Sequence, residues 1–245
     1  MNGKPILLQD IDSTFNFFSH PIPLFLRGIG VFKARMSKAS LFDLEYVIFD
    51  FETTGLNADK DDEILEIGAL KLKGIEPTGE IFSSLINIQK KIPEKVKAIH
   101  GIQDKELEGK PTIEEIFPKF LNFLGNKILI AHNAEFDLSF LKKNLKRFPH
   151  LAFPNYCIDT LQLSRQFFSY EKGHSLNAIA ARFEIPTDKD RHRSLGDCTL
   201  TAKIFSEFLK ALKRRKCATL ASIKSCIFSP PKMVTSFQPQ ELTLL

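Results

Sequence analysis

The chain has 245 residues, 43% of them hydrophobic and 26% charged. That is enough for one large domain or a medium one with tails, and no apolar run approaches the ~18 residues of a membrane-spanning helix. Lys and Arg number 34 against 29 Asp and Glu, a net charge of +5, which is compatible with a polyanionic partner without requiring one.

Cys157, Cys198, Cys217 and Cys226 stand far apart with no Cys-x-x-Cys pair, which argues against a zinc cage or a dense disulfide framework and for a reducing compartment. Residues 1–40 read as a peripheral extension. The apolar stretch from Pro21 to Phe32 is interrupted by Arg27, two prolines and two glycines, and lacks the order of a secretory signal. Met36 is an alternative start.

From Leu44 the pattern becomes regular. Tyr46–Phe51 reads as a strand buried on both faces, Ile64–Leu72 and Ile81–Ile88 as two more, separated by the turn-like Lys73–Gly79. A helix follows Pro93, and another spans Thr112–Leu124 with Thr112 and Glu115 as a capping box. Lys127–Ala131 is a further strand. Helices are predicted over Phe136–Leu145, Thr160–Phe168, Ser175–Phe183 and Ser194–Leu212. Successive strands followed by helices around another strand predict an α/β domain with a mixed sheet, over 41–213. Residues 214–245, opening on basic residues up to Lys216, form an irregular tail.

Three acidic motifs stand at element ends. In Asp50-Phe-Glu52-Thr-Thr-Gly55 the two carboxylates are two apart in a strand and project to one face, where they repel unless a cation or proton lies between them. In Ala131-His-Asn-Ala-Glu-Phe-Asp137 a strand gives way to a helix, with Asp137 in the first turn; the helix dipole alone also favours an acid there. In His192-Arg-Ser-Leu-Gly-Asp197, Ser194 and Asp197 could be a capping pair, yet Asp197 shares a helical face with Leu200, Ile204 and Phe208. His192 precedes that helix on a loop. Oxygen-only ligands suit Mg²⁺ or Mn²⁺ rather than zinc. Two such ions bind the attacking and leaving oxygens of a phosphodiester, and a nearby histidine accepts the proton of attacking water.

Together with Glu63-Ile-Leu-Glu-Ile-Gly-Ala, Ile99-His-Gly-Ile, Ile158-Asp-Thr and His174-Ser-Leu, in that chain order over about 46–210, these motifs resemble the DEDDh (DnaQ-like) 3′–5′ exonucleases. That is the family of the DNA polymerase III epsilon subunit and the PolC exonuclease region. The resemblance implies a ribonuclease-H-like fold: a five-stranded mixed sheet, second strand antiparallel, flanked by helices. It implies that Asp50, Glu52, Asp137 and Asp197 hold two Mg²⁺ or Mn²⁺ ions, with His192 as general base. Thr53, Thr54, Leu56, His132 and Asn133 would contact the terminal nucleotide, Glu66 would support the site without touching metal, and Asp159 would be structural. His100, His150 and His174 read as packing or surface residues. Arg193-Ser194 departs from the small residues usual there, and Arg193 is either a phosphate contact or a solvated side chain.

The implied activity is hydrolysis of DNA from a single-stranded or frayed 3′ end to nucleoside 5′-monophosphates, in proofreading or repair, in a bacterial-type cytoplasm at the nucleoid. RNA trimming by the same fold and a non-catalytic polymerase-binding subunit are the alternatives. A polymerase catalytic subunit is an implied partner, and Gln238–Leu245 resembles peptides that dock on the sliding clamp.

Overall fold

The computed structural model describes residues 38–148, 151, 153, 155–187 and 191–219. The expectations for residues 1–37, His150 and 220–245, including the clamp-like segment, lie outside the described residues. Five strands form one sheet: β1 (Glu45–Thr53), β2 (Ile64–Lys73), β3 (Glu76–Leu85), β4 (Ile128–Ala131) and β5 (Cys157–Asp159), in spatial order β3-β2-β1-β4-β5. β2 is antiparallel to β1 and β3, β4 is parallel to β1, and β5 is parallel to β4. This is the five-stranded mixed sheet with an antiparallel second strand that the motifs imply. The helices described are α1 (Glu94–His100), α2 (Asp104–Leu107), α3 (Ile113–Leu124), α4 (Ala134–Leu145), α5 (Thr160–Phe167), α6 (Leu176–Arg182) and α7 (Ser194–Arg214). No described helix is long and apolar enough to cross a membrane.

The two-residue period of β1 sorts its side chains between two layers. Val47, Phe49 and Phe51 enter a core shared with Ile116, Phe117, Phe120 and Leu124 of α3 and Phe140 and Leu141 of α4. Phe51 lies edge-on to both Phe49 and Phe120, with centroids 5.5 Å apart in each pair. Each such side chain removed from water contributes about 1.5–3 kcal/mol. On the other face Tyr46 meets Phe205 of α7 at 5.0 Å, and α5 and α6 pack on α7. Leu200, Ile204, Phe208 and Leu212 form the buried stripe of α7, as the helical spacing predicts. At the start of α3, Glu115 Oε2 accepts from Thr112 N at 2.7 Å, the expected capping contact.

Boundaries differ from expectation where burial is weak. β3 begins at Glu76, not Ile81; it is an edge strand whose first residues are exposed, so they carry no apolar alternation. The turn before it narrows to Gly74-Ile75. Gly74 has φ +61, and a Cβ there would lie 2.3 Å from Phe42 O. β5 is three half-buried residues, too short to announce itself by periodicity.

Candidate active site

The alternation that sends Phe49 and Phe51 into the core sends Asp50 and Glu52 to the opposite face of β1, toward α7. There Asp50, Glu52 and Asp197 offer carboxylate oxygens that all lie within 4.8 Å of one another. Asp197, 8% exposed, sits in the first turn of α7 on its buried stripe. Asp137, 2% exposed, arrives from α4 and accepts a hydrogen bond from Phe51 N at 3.1 Å. Because β4 runs parallel to β1, the chain leaving β4 delivers α4 beside the carboxyl end of β1, where ligands bind in α/β sheets. The fold therefore gathers all four predicted acids from three distant segments.

Burial, reinforced by Asp137 and Glu52, holds the Asp50 carboxyl well above the usual carboxylate range. Glu52 is pushed up to about 7 by burial and then by Glu66, against the pull of Arg193 and Arg191. Burial likewise raises Asp137, while the Phe51 N–H opposes the rise. Crowded acids held away from water in this way call for a cation. An all-oxygen donor set of this charge fits a divalent metal cation.

One side chain that the sequence reading passed over also enters the cluster. Arg191 Nη1 pairs with Asp197 Oδ1, and its Nε donates to Asn177 Oδ1 of α6 at 3.0 Å. Burial lowers the Arg191 pKa, whereas Asp50 and Glu52 raise it. An arginine beside a motif histidine has no periodicity of its own, so only the folded geometry exposes it.

His192 lies on the predicted loop, exposed, with φ +64. Its backbone N is 3.4 Å from Asp197 Oδ1, and its ring has no hydrogen-bond partner among the described residues. Arg193, read as a phosphate contact or a solvated side chain, instead grips Glu66 through Nη2 at 2.7 Å and Nε at 3.2 Å. Ser194 does not cap α7 as the capping reading expected. It is the first helical residue, its backbone N donates to Glu66 Oε2 at 2.9 Å, and its buried hydroxyl has no hydrogen-bond partner among the described residues. Asp197 Oδ1 accepts from Arg191 and from the His192 backbone N rather than from Ser194.

The predicted nucleotide contacts divide into two groups. Thr53 and Thr54 are buried, and their hydroxyls serve the turn itself. Thr53 donates to Gly55 O at 2.6 Å and Thr54 to Asp62 Oδ1 at 3.3 Å, while Glu63 N donates to Thr54 Oγ1 at 3.0 Å. Leu56, in contrast, is 86% exposed. His132 Nδ1 is 3.0 Å from Thr160 Oγ1, and burial followed by Arg191 lowers its pKa to about 4, so the ring is neutral. Asn133 is exposed, in a left-handed conformation at the start of α4. Its backbone N donates to Asp159 Oδ1 at 2.9 Å, and the same oxygen accepts from Leu161 N at 2.8 Å, which bears out the structural reading of Asp159. His174 bonds Ser164 Oγ at 2.8 Å and His100 is buried; both pack as expected.

Residues 47–205 match the family described as Exonuclease. A DNA polymerase III PolC-type protein of Clostridium perfringens is 41% identical over 70% of this chain, which spans 12% of that polymerase. A DNA polymerase III subunit epsilon of Aquifex aeolicus is 38% identical over 74% of this chain and 88% of its own. Among solved structures, exonuclease X in complex with 5′-overhanging duplex DNA matches with TM-score 0.59 and 25% identity, over 74% of this chain and 99% of that one.

Proposed function

The chain belongs to the DEDDh-type 3′–5′ exonuclease family, and on that premise we propose that its domain, over 41–213, removes nucleotides stepwise from the 3′ end of DNA. The observation that carries this reading is the convergence of Asp50, Glu52 and Asp197 within 4.8 Å, with Asp137 tied to the same strand. Those four acids would hold the ions. When bound, Mg²⁺ or Mn²⁺ neutralises charge that builds on the attacking and leaving oxygens of the phosphodiester.

His192, exposed at the mouth of the cluster, takes the proton of the attacking water. Exposed Leu56 packs against the terminal base, and neutral His132 with Asn133 lines the same pocket. Thr53 and Thr54 act by shaping the turn that presents Leu56. Only an unpaired end fits such a pocket, so a mismatched terminus, cheaper to unpair, is removed faster. That selectivity suits proofreading beside a polymerase subunit, at the nucleoid of a bacterial-type cytoplasm, and the relatives named as DNA polymerase III proteins support this setting. A sliding clamp is the partner for Gln238–Leu245.

The test is cleavage of a 5′-labelled single-stranded DNA by wild type and Asp50→Ala, in Mg²⁺ and in EDTA, beside a matched RNA. A metal-dependent ladder shrinking from the 3′ end, absent in the variant, is expected. Cleavage of RNA alone would replace DNA proofreading by RNA trimming, and no cleavage of either would leave a binding subunit.

A further inference from the structure

His192 reaches its place without any hold on its own ring. The side chain is exposed and unbonded among the described residues, and its backbone sits at φ +64, a left-handed conformation that is unfavourable for a non-glycine residue. Such a residue persists only where its neighbours are fixed. On the C-terminal side they are fixed by one carboxylate. Glu66, 4% exposed, receives Arg193 through two guanidinium nitrogens and Ser194 through its backbone N at 2.9 Å. A two-pronged Arg–carboxylate contact fixes orientation as well as distance.

The strand carrying Glu66 is also clamped to the start of α7. A Cβ on Gly68 would lie 2.6 Å from Leu195 N, and Cys198 Sγ lies 3.3 Å from Gly68 O. Glu66 in turn stands opposite Glu52 in the β1–β2 register. The strand that bears two of the acids is therefore connected, through one buried carboxylate, to the turn that bears the histidine.

We propose that Glu66 and Arg193 are positioning residues for His192: their ion pair, with the Ser194 N–H, locks the turn that aims the imidazole at the acid cluster. This rests on the exonuclease reading for what His192 does and not for where it stands. A second route would be electrostatic, since Glu66 faces Glu52 and Arg193 counters it. The two routes differ in sign. Glu66→Gln deletes a negative charge beside Glu52 and Arg193→Gln a positive one, so an electrostatic role moves Mn²⁺ affinity in opposite directions. Positioning makes both variants fail alike.

The experiment measures kcat and KM on single-stranded DNA for Glu66→Gln and Arg193→Gln, each in wild-type and His192→Ala backgrounds, with Mn²⁺ affinity followed by paramagnetic resonance. Both substitutions are expected to lower kcat by roughly 10-fold, with KM and Mn²⁺ affinity little changed, and to have no further effect once His192 is absent. Equal losses in both backgrounds, or opposite shifts in Mn²⁺ affinity, overturn the proposal. The metal-free protein supplies a readout independent of activity. The imidazole Cε1–H resonance of His192, assigned by its disappearance in His192→Ala, shifts or broadens in both variants. An unmoved resonance refutes the positioning. A moved resonance in a protein that cleaves no nucleic acid keeps the positioning and rejects the exonuclease.

Discussion

The backbone N–H of Phe51, lying between Asp50 and Glu52 on β1, donates to Asp137 Oδ1 at 3.1 Å. One oxygen of Asp137 therefore belongs to the fold, joining α4 to the strand that carries two other acids, while its charge belongs to the site. Substitution separates the two. Asp137→Asn keeps an acceptor for Phe51 and removes a charge that burial disfavours, so its metal-free stability is expected to equal or exceed that of wild type. Asp137→Ala orphans a buried N–H and should be less stable than the Asn variant by about 1–2 kcal/mol. Both should lose cleavage. Denaturation in EDTA beside the DNA assay checks the pair, and an Asn variant weaker than the Ala variant would refute the division.

Arg191 places a guanidinium on Oδ1 of Asp197, one of the three clustered acids. A cation there lessens the repulsion among Asp50, Glu52 and Asp197 when no metal is bound, and it competes when metal arrives. Arg191→Gln should lower the melting temperature in EDTA and tighten Mn²⁺ binding by roughly fivefold, equivalent to about 1 kcal/mol. Titration with Mn²⁺ is the measurement. Unchanged or weaker affinity would mean that Arg191 and the ion share Asp197 without competition.

What could be read from the chain follows from what repeats. Buried β1 and the stripe of α7 announce themselves by period, and the four acids by their positions at element ends. β5 and the start of β3 did not, because three half-buried residues and an exposed edge give no alternation. Thr53 and Thr54, nucleotide contacts that the resemblance implies, spend their hydroxyls on the turn, which no local pattern announces. Arg191 and the Glu66–Arg193 pair were illegible for a different reason. Arg193 and Glu66 are 127 positions apart, and an ion pair across that separation leaves no local pattern.

His132 gives a pH signature that the acids do not share. Its ring is held neutral, with the pKa lowered from 6.5 to about 4, so the unfolded chain takes up a proton at higher pH than the folded one. Its contribution is neutral above about 6.5 and becomes increasingly destabilising as pH falls toward 4, by at most ~1.4 kcal/mol per pH unit. The raised carboxyls of Asp50 and Glu52 act in the opposite sense in metal-free protein, because they bind protons in the fold before they do in the unfolded chain. Wild type alone therefore mixes both slopes. His132→Gln removes one of them: between pH 6.5 and 4.5, in EDTA, the stability of wild type should fall relative to that of the variant. Parallel pH profiles of the two proteins would mean that His132 is protonated in the fold as readily as in the open chain.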